Sequence, residues 1–178
     1  MAVRETTTTD PAPSSLEKMR LPIERTAGMA DDWLDMVKSH HAMIEEAFDS
    51  VLASADAPDD TRQQRFKRLT LLLTAHCVAE ENVLYPALSM FGLTAASDKL
   101  YMDQAHAKVV SSLLDMADDK GSPDWLHKAA ELKRMVLQHA KQDEEDDLYP
   151  RLQAELDTAT AIKIGAAYRR EFMSVKPG

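Results

Sequence analysis

Two stretches of the chain set histidine and carboxylate at spacings that suit a metal ion: "HCVAEENVLYP", His76 to Pro86, and "HAKQDEEDDLYP", His139 to Pro150. In the first, His76 and Glu80 are four residues apart, so on a helix both side chains project from one face, one turn from each other. Imidazole nitrogen with carboxylate oxygen suits iron, manganese or zinc, and a carboxylate has two oxygens with which to bridge a pair of ions. Cys77 is rotated by about a hundred degrees from His76, which leaves thiolate out of the set and speaks against a soft-metal or iron–sulfur site.

The second stretch follows its histidine with five consecutive acids, Asp143 to Asp147. Regular helical geometry selects Asp143 as the partner of His139. Counting back from the shared Leu-Tyr-Pro instead aligns Glu144 with Glu80, which leaves His139 and Glu144 five apart; a single π-turn accommodates such an extra residue. Glu144 is favoured, with Asp143 as the substitute. The remaining acids are expected to face water.

Positioning these groups requires helices. Between Asp31 and Leu52 the apolar residues Leu34, Val37, Ile44, Phe48 and Val51 recur at the helical period, with His41 on the same stripe. A second helix is expected from Arg62 to Pro86, with Thr61 as its N-cap. A third, from Thr94 to Ala117, is expected to carry His106, Val109 or Val110, and Leu113 on its buried side. A fourth spans Pro123 to Tyr149 and aligns Leu132, Val136 and His139, and a shorter fifth covers Leu152 to Phe172. Short polar connections force neighbouring helices to be antiparallel. The expected fold is therefore all-α: an up-down-up-down four-helix bundle with an additional C-terminal helix. One histidine taken singly is more often a hydrogen-bonded core residue than a ligand. Four helices that each aim one inward, two of them with a carboxylate, change the balance, because burying so many polar groups without a cation would cost several kcal/mol.

The bulk properties agree. With 178 residues, 44% of them apolar, the chain can close one core. Residues 1–28, whose opening is rich in Thr, Pro and Ser, are expected to form a flexible tail; the bundle is assigned to 29–151 and the C-terminal helix to 152–178. A net charge of −9 without a basic cluster argues against nucleic acid and anionic membranes. A lone cysteine and the lack of a signal-like or membrane-length apolar run point to a soluble protein, with the cytoplasm as the expected compartment.

From "SHHAMIEEAF" through "HCVAEENVLYP" and "QAHAKVV" to "HAKQDEEDDLYP", residues 31–151 resemble the hemerythrin-like, or HHE cation-binding, proteins. That resemblance implies a bundle whose core holds two non-haem iron ions bridged by two carboxylates and an oxo or hydroxo group. It carries His41, His76, Glu80, His106, His139 and Glu144 over as ligands. The oxygen-carrying members have a second histidine four residues before the third-helix one, where this chain has Met102, so a ligand is missing and water, Tyr101 or His40 would complete the set. A stable oxygen carrier is disfavoured. The implied function is binding of O2, NO or peroxide for sensing, peroxide breakdown or iron handling, the alternative being a metal-dependent regulatory module that binds a protein partner without turnover. His40 is expected off the stripe and exposed, His127 too distant to share the metal, and Tyr85 and Tyr149 packed at the end of the bundle.

Overall fold

A computed structural model describes residues 32–175; the expected tail at 1–28 lies outside the described residues. These residues form helices and connecting turns, with no strand among them.

Helix α1 (Trp33–Leu52) starts where the Asp32 carboxylate accepts the Leu34 N–H at 2.9 Å. Helix α2 (Asp59–Ala79) opens with Asp59 and Asp60 in its first turn, where carboxylates favour the positive end of the helix dipole. It therefore starts before Thr61, the expected cap. It runs without a break into a π-helical stretch, π1 (Glu80–Leu84), and then α3 (Tyr85–Met90). The rod ends at Gly92, whose φ of 84° lets the Leu93 N–H turn back to the Leu88 carbonyl. Helix α4 (Thr94–Met116) follows. Helix α5 (Pro123–Gln138), capped by Ser122, continues as π2 (His139–Leu148) and α6 (Tyr149–Glu155). Helix α7 (Thr158–Ser174) starts at Asp157, whose carboxylate accepts the Thr160 N–H at 2.6 Å.

Helix α1 packs on α2 and α5, and α4 packs on α2, α3 and α5, closing a ring of four rods. Helix α7 lies outside that ring against α1, α2 and π1. The fold is the all-α four-helix bundle with an additional C-terminal helix. One end is fastened by Arg62, 2% exposed, whose guanidinium donates to the carbonyls of Ser54, Ala55, Ala57 and Lys120 and so joins the α1–α2 and α4–α5 connections.

The register of α4 differs from expectation. Its core side is Ser97, Leu100, Gln104, Ala107, Ser111 and Leu114, while Val109 and Leu113 are 58% and 59% exposed and Met102 and Met116 more so. This helix has two apolar faces. The inner one, built from small and polar residues, is the weaker of the two in hydropathy.

Candidate metal centre

Four ligand-type side chains from three rods meet in the middle of the bundle. His41, His76, Glu80 and Glu144 are all buried, and each offers one atom within 4.8 Å of every other. Nε2 of His41 and Nε2 of His76 face each other at 3.1 Å. Glu80 Oε2 lies 3.0 Å from His76 Nε2, and Glu144 Oε2 lies 3.3 Å from His41 Nε2. His139 approaches from the other side, its Nε2 3.1 Å from Glu144 Oε1.

The five-residue interval from His139 to Glu144 closes because the chain there is π-helical. A π stretch also follows Glu80 in the first repeat, which the regular His76–Glu80 spacing did not call for. In both rods the tyrosine N–H of Leu-Tyr-Pro bonds back five residues to the carbonyl of the glutamate, Tyr85 to Glu80 and Tyr149 to Glu144. A proline follows directly and contributes no donor of its own. The widened turn thus sits at the same place in each repeat and swings each tyrosine inward.

The tyrosines accordingly belong to the centre, not to an end of the bundle. Tyr149 Oη is 2.7 Å from Glu80 Oε1 and 3.0 Å from Glu144 Oε1. Tyr85 Oη donates to Glu144 Oε1 at 2.9 Å and lies 3.1 Å from His139 Nε2. Gln104 donates to Glu80 Oε2 at 2.6 Å. The outer imidazole nitrogens are also held: His41 Nδ1 by Glu145 at 2.7 Å and His76 Nδ1 by the hydroxyl of Tyr168 at 2.9 Å. Asp103 stands 3.6 Å from His139 Nδ1, and Lys99 joins Asp103 to Asp143 at 2.8 and 2.7 Å.

Electrostatics follow from burial of two carboxylates among imidazoles. Burial alone would raise Glu80; His76 and His41 overcome it and hold the carboxyl well below the usual range. Burial and Glu80 both push Glu144 up, yet His139 and His41 bring it below its ordinary value. Burial would lower His41, but Glu144, Glu145 and Glu80 raise it well above the ordinary imidazole value. His139 is raised to about 9 against burial, chiefly by Glu144. In the metal-free protein, protons on His41 and His139 therefore balance the glutamates. Burial, then Glu144 and Glu80, push the Tyr85 and Tyr149 phenols well up, so both remain neutral donors.

His106 is not brought into this group. It is exposed, and Gln104 takes the inward position. The cause is the α4 register: the stronger apolar stripe faces out. Asp143 lies outside the buried set, in the half-buried group with Asp103 and His139. Met102 is 74% exposed, and the Tyr101 hydroxyl donates to the Glu81 carbonyl, so neither replaces a ligand. His127 is exposed, beside Glu131. His40 is 1% exposed, contrary to expectation, because α7 covers the flank of α1 that a bare four-helix bundle would leave open. Sequence reasoning missed Tyr168, Gln104 and Glu145, the last expected to face water and instead drawn in to His41 Nδ1; the repeated Tyr of Leu-Tyr-Pro was the one available signal for Tyr85 and Tyr149.

The residues present fit a cation. Two imidazole nitrogens 3.1 Å apart gain a common partner from an ion, and Glu144 Oε2 is buried without a hydrogen-bond partner. His41, His76, Glu80 and Glu144 supply two nitrogens and two carboxylates for one ion; His139 with the shared carboxylates supplies less for a second. Cys77 adds no thiolate, since burial and Glu80 push its thiol well up.

A cavity of about 180 Å³ between α2, α4 and α5 runs from His76, Gln104 and His139 to the exposed Lys99 and His106.

Among curated proteins, a DNA nickase from Nostoc sp. (strain PCC 7120 / SAG 25.82 / UTEX 2576) is 27% identical over 110 residues, 62% of this chain. The match spans 30% of that protein's length. No solved structure matches. Residues 32–152 match the model of the hemerythrin HHE cation-binding domain, and with the repeated His-Glu-Tyr geometry at its core the chain belongs to that family.

Proposed function

We propose that this protein is a non-haem iron protein whose bundle core holds two unequal iron positions and admits a small ligand, O2, NO or peroxide. The observation that carries the reading is the convergence of His41, His76, Glu80 and Glu144 within 4.8 Å, fully inside the bundle. His41 and His76 would hold a first ion together with the carboxylates of Glu80 and Glu144, and His139 would hold a second beside Glu144. An iron pair supplies one-electron redox chemistry and vacant coordination positions; the protein supplies a dry site, fixed charge and phenol donors. With His106 outside, the second position has fewer protein ligands and is the place for an external ligand, which the cavity beside His139 serves. Tyr85, between His139 and Glu144, would turn its one hydroxyl proton from Glu144 to a small anion bound there. Such a site suits sensing, peroxide breakdown or iron handling better than reversible oxygen storage.

A second reading, a metal-dependent regulatory module without turnover, is favoured by the reach of α7 into the centre through Tyr168. Nicking of DNA, named for the Nostoc relative, draws no support from a chain of net charge −9. One buried cysteine fits a reducing compartment, and the cytoplasm is the setting proposed.

Anaerobic Fe(II) titration followed by exposure to O2, NO or H2O2 tests the reading. Two binding steps of different affinity, and visible bands that change with added ligand, are expected. Folded protein that takes up no iron, or iron inert to all three ligands, would sink it. Oxygen release from peroxide separates turnover from binding.

A further inference from the structure

The HHE match ends at residue 152, yet a side chain from beyond it touches the centre. Tyr168, on α7, is fully buried, and its hydroxyl lies 2.9 Å from His76 Nδ1 and 3.0 Å from His40 Nδ1. The His40 ring stacks on Phe172, one helical turn further along α7, at 3.9 Å between centroids. Helix α7 is thus fastened to the metal-ligating face of α1 and α2 by a hydrogen-bonded triad and an aromatic stack.

We propose that α7 is the output element of the metal centre, with Tyr168 as the positioning residue that couples ion binding at His76 to the docking of the C-terminal helix. The proposal rests on the metal reading above. An ion on Nε2 of His76 requires that nitrogen to be unprotonated, so the ring's proton must sit on Nδ1. Nδ1–H then donates to the Tyr168 oxygen, and the Tyr168 hydroxyl donates onward to His40 Nδ1. His40 Nδ1 is the partner on that side at 3.0 Å, and its Nε2 is buried without a hydrogen-bond partner. Without an ion, nothing fixes the His76 proton on Nδ1, because Nε2 then has both Glu80 at 3.0 Å and His41 Nε2 at 3.1 Å as alternative partners. Both directions of the bond to Tyr168 are then open, the reversed one with the proton of His40 on Nδ1. Metal therefore selects one direction for the whole chain of bonds and holds the His76 ring where Tyr168 needs it.

Linkage makes the coupling reciprocal: whatever metal adds to the docking of α7, docked α7 adds to metal affinity. Loss of metal would free an apolar helix face bearing Tyr168 and Phe172, the feature a regulatory module needs.

The test uses the full chain with Zn(II) and, anaerobically, Fe(II). Amide hydrogen exchange is measured with and without metal, alongside metal affinity, for wild type and Tyr168→Phe, which keeps the ring and removes the hydroxyl. In wild type, metal is expected to slow exchange in 158–174 along with the ligand-bearing helices. In Tyr168→Phe, metal should still bind, about 10- to 100-fold more weakly, and protect its ligand helices while no longer protecting α7. Metal that binds wild type and leaves α7 exchange unchanged would overturn the coupling and leave the metal centre standing. Failure of wild type to bind metal would take down both. Should Tyr168→Phe misfold, the wild-type comparison alone decides.

Discussion

Tyr149 donates to Glu80 at 2.7 Å, reaching from the second repeat to the carboxylate of the first, and Tyr85 returns the bond to Glu144 at 2.9 Å. The two Glu-Tyr units are cross-linked by hydrogen bonds, so the glutamates are fixed relative to each other before any ion arrives. Binding then needs less reorganisation at the carboxylates.

Removing one phenol should therefore be felt in the metal-free protein. Tyr149→Phe leaves a buried, ionised carboxylate short of a donor, and a loss of about 1.5–3 kcal/mol is expected. Because Tyr85 and Tyr149 share both glutamates, the double Phe variant should depart from the sum of the singles. Chemical denaturation in the presence of chelator measures both quantities; additive, negligible losses would show that the cross-link does not hold the centre.

Ligand roles separate by substitution. His76→Ala and Glu80→Ala should abolish the tighter metal step, His139→Ala should remove the weaker one, and His106→Ala and His127→Ala should change neither. Elemental analysis after dialysis reads the outcome. Equal loss from His106→Ala would contradict the α4 register.

The protons on His41 and His139 set the pH dependence. His139 has an ordinary value of about 6.5 when unfolded and about 9 in the metal-free fold. A raised folded value means the folded state binds the proton more tightly, so its contribution is fully present below about pH 6.5 and is lost as pH rises toward 9. Metal requires the same nitrogen deprotonated, so metal affinity moves the opposite way, rising over that window. Thermal melts of chelated protein should fall from pH 6.5 to 9 while the stabilisation by added metal grows. Calorimetric titrations in buffers of different ionisation enthalpy should record proton release. Metal affinity flat across this range would contradict the assignment.

Arg62 fixes the far end of the bundle and should act on stability alone. Arg62→Met strands the carbonyls of Ser54, Ala55, Ala57 and Lys120, which the guanidinium now satisfies. A loss of about 3–5 kcal/mol is expected, with metal content unchanged in whatever remains folded. Reduced metal content in well-folded Arg62→Met protein would show that this end of the bundle reaches the centre.

How much of this could be read from the sequence depended on which forces were local. The His76–Glu80 pair, the five-residue His139–Glu144 interval and the helical class follow from spacing along one rod, and spacing is written in the chain. Tyr168 lies far along the chain from His76, and nothing near it in sequence marks the contact. His40 looked exposed because α1 was given one buried face, whereas α7 provides a second. The α4 error has a different origin. Apolar periodicity shows that a helix has a face, but when two faces compete it does not say which one turns inward, and here Glu80 recruits Gln104.

Neighbouring leucines on α4 turn that last point into an experiment. Leu113 is 59% exposed and Leu114 is 3% exposed, so the same truncation at adjacent positions should have opposite results. Leu114→Ala removes core contacts and leaves a cavity, and a loss of about 2–4 kcal/mol is expected. Leu113→Ala should fall within about 0.5 kcal/mol of wild type. If urea titrations showed the reverse order, α4 would be rotated by about one residue. Asp103 would then take the place of Gln104 beside Glu80, and His106 that of Ala107 on the inner face.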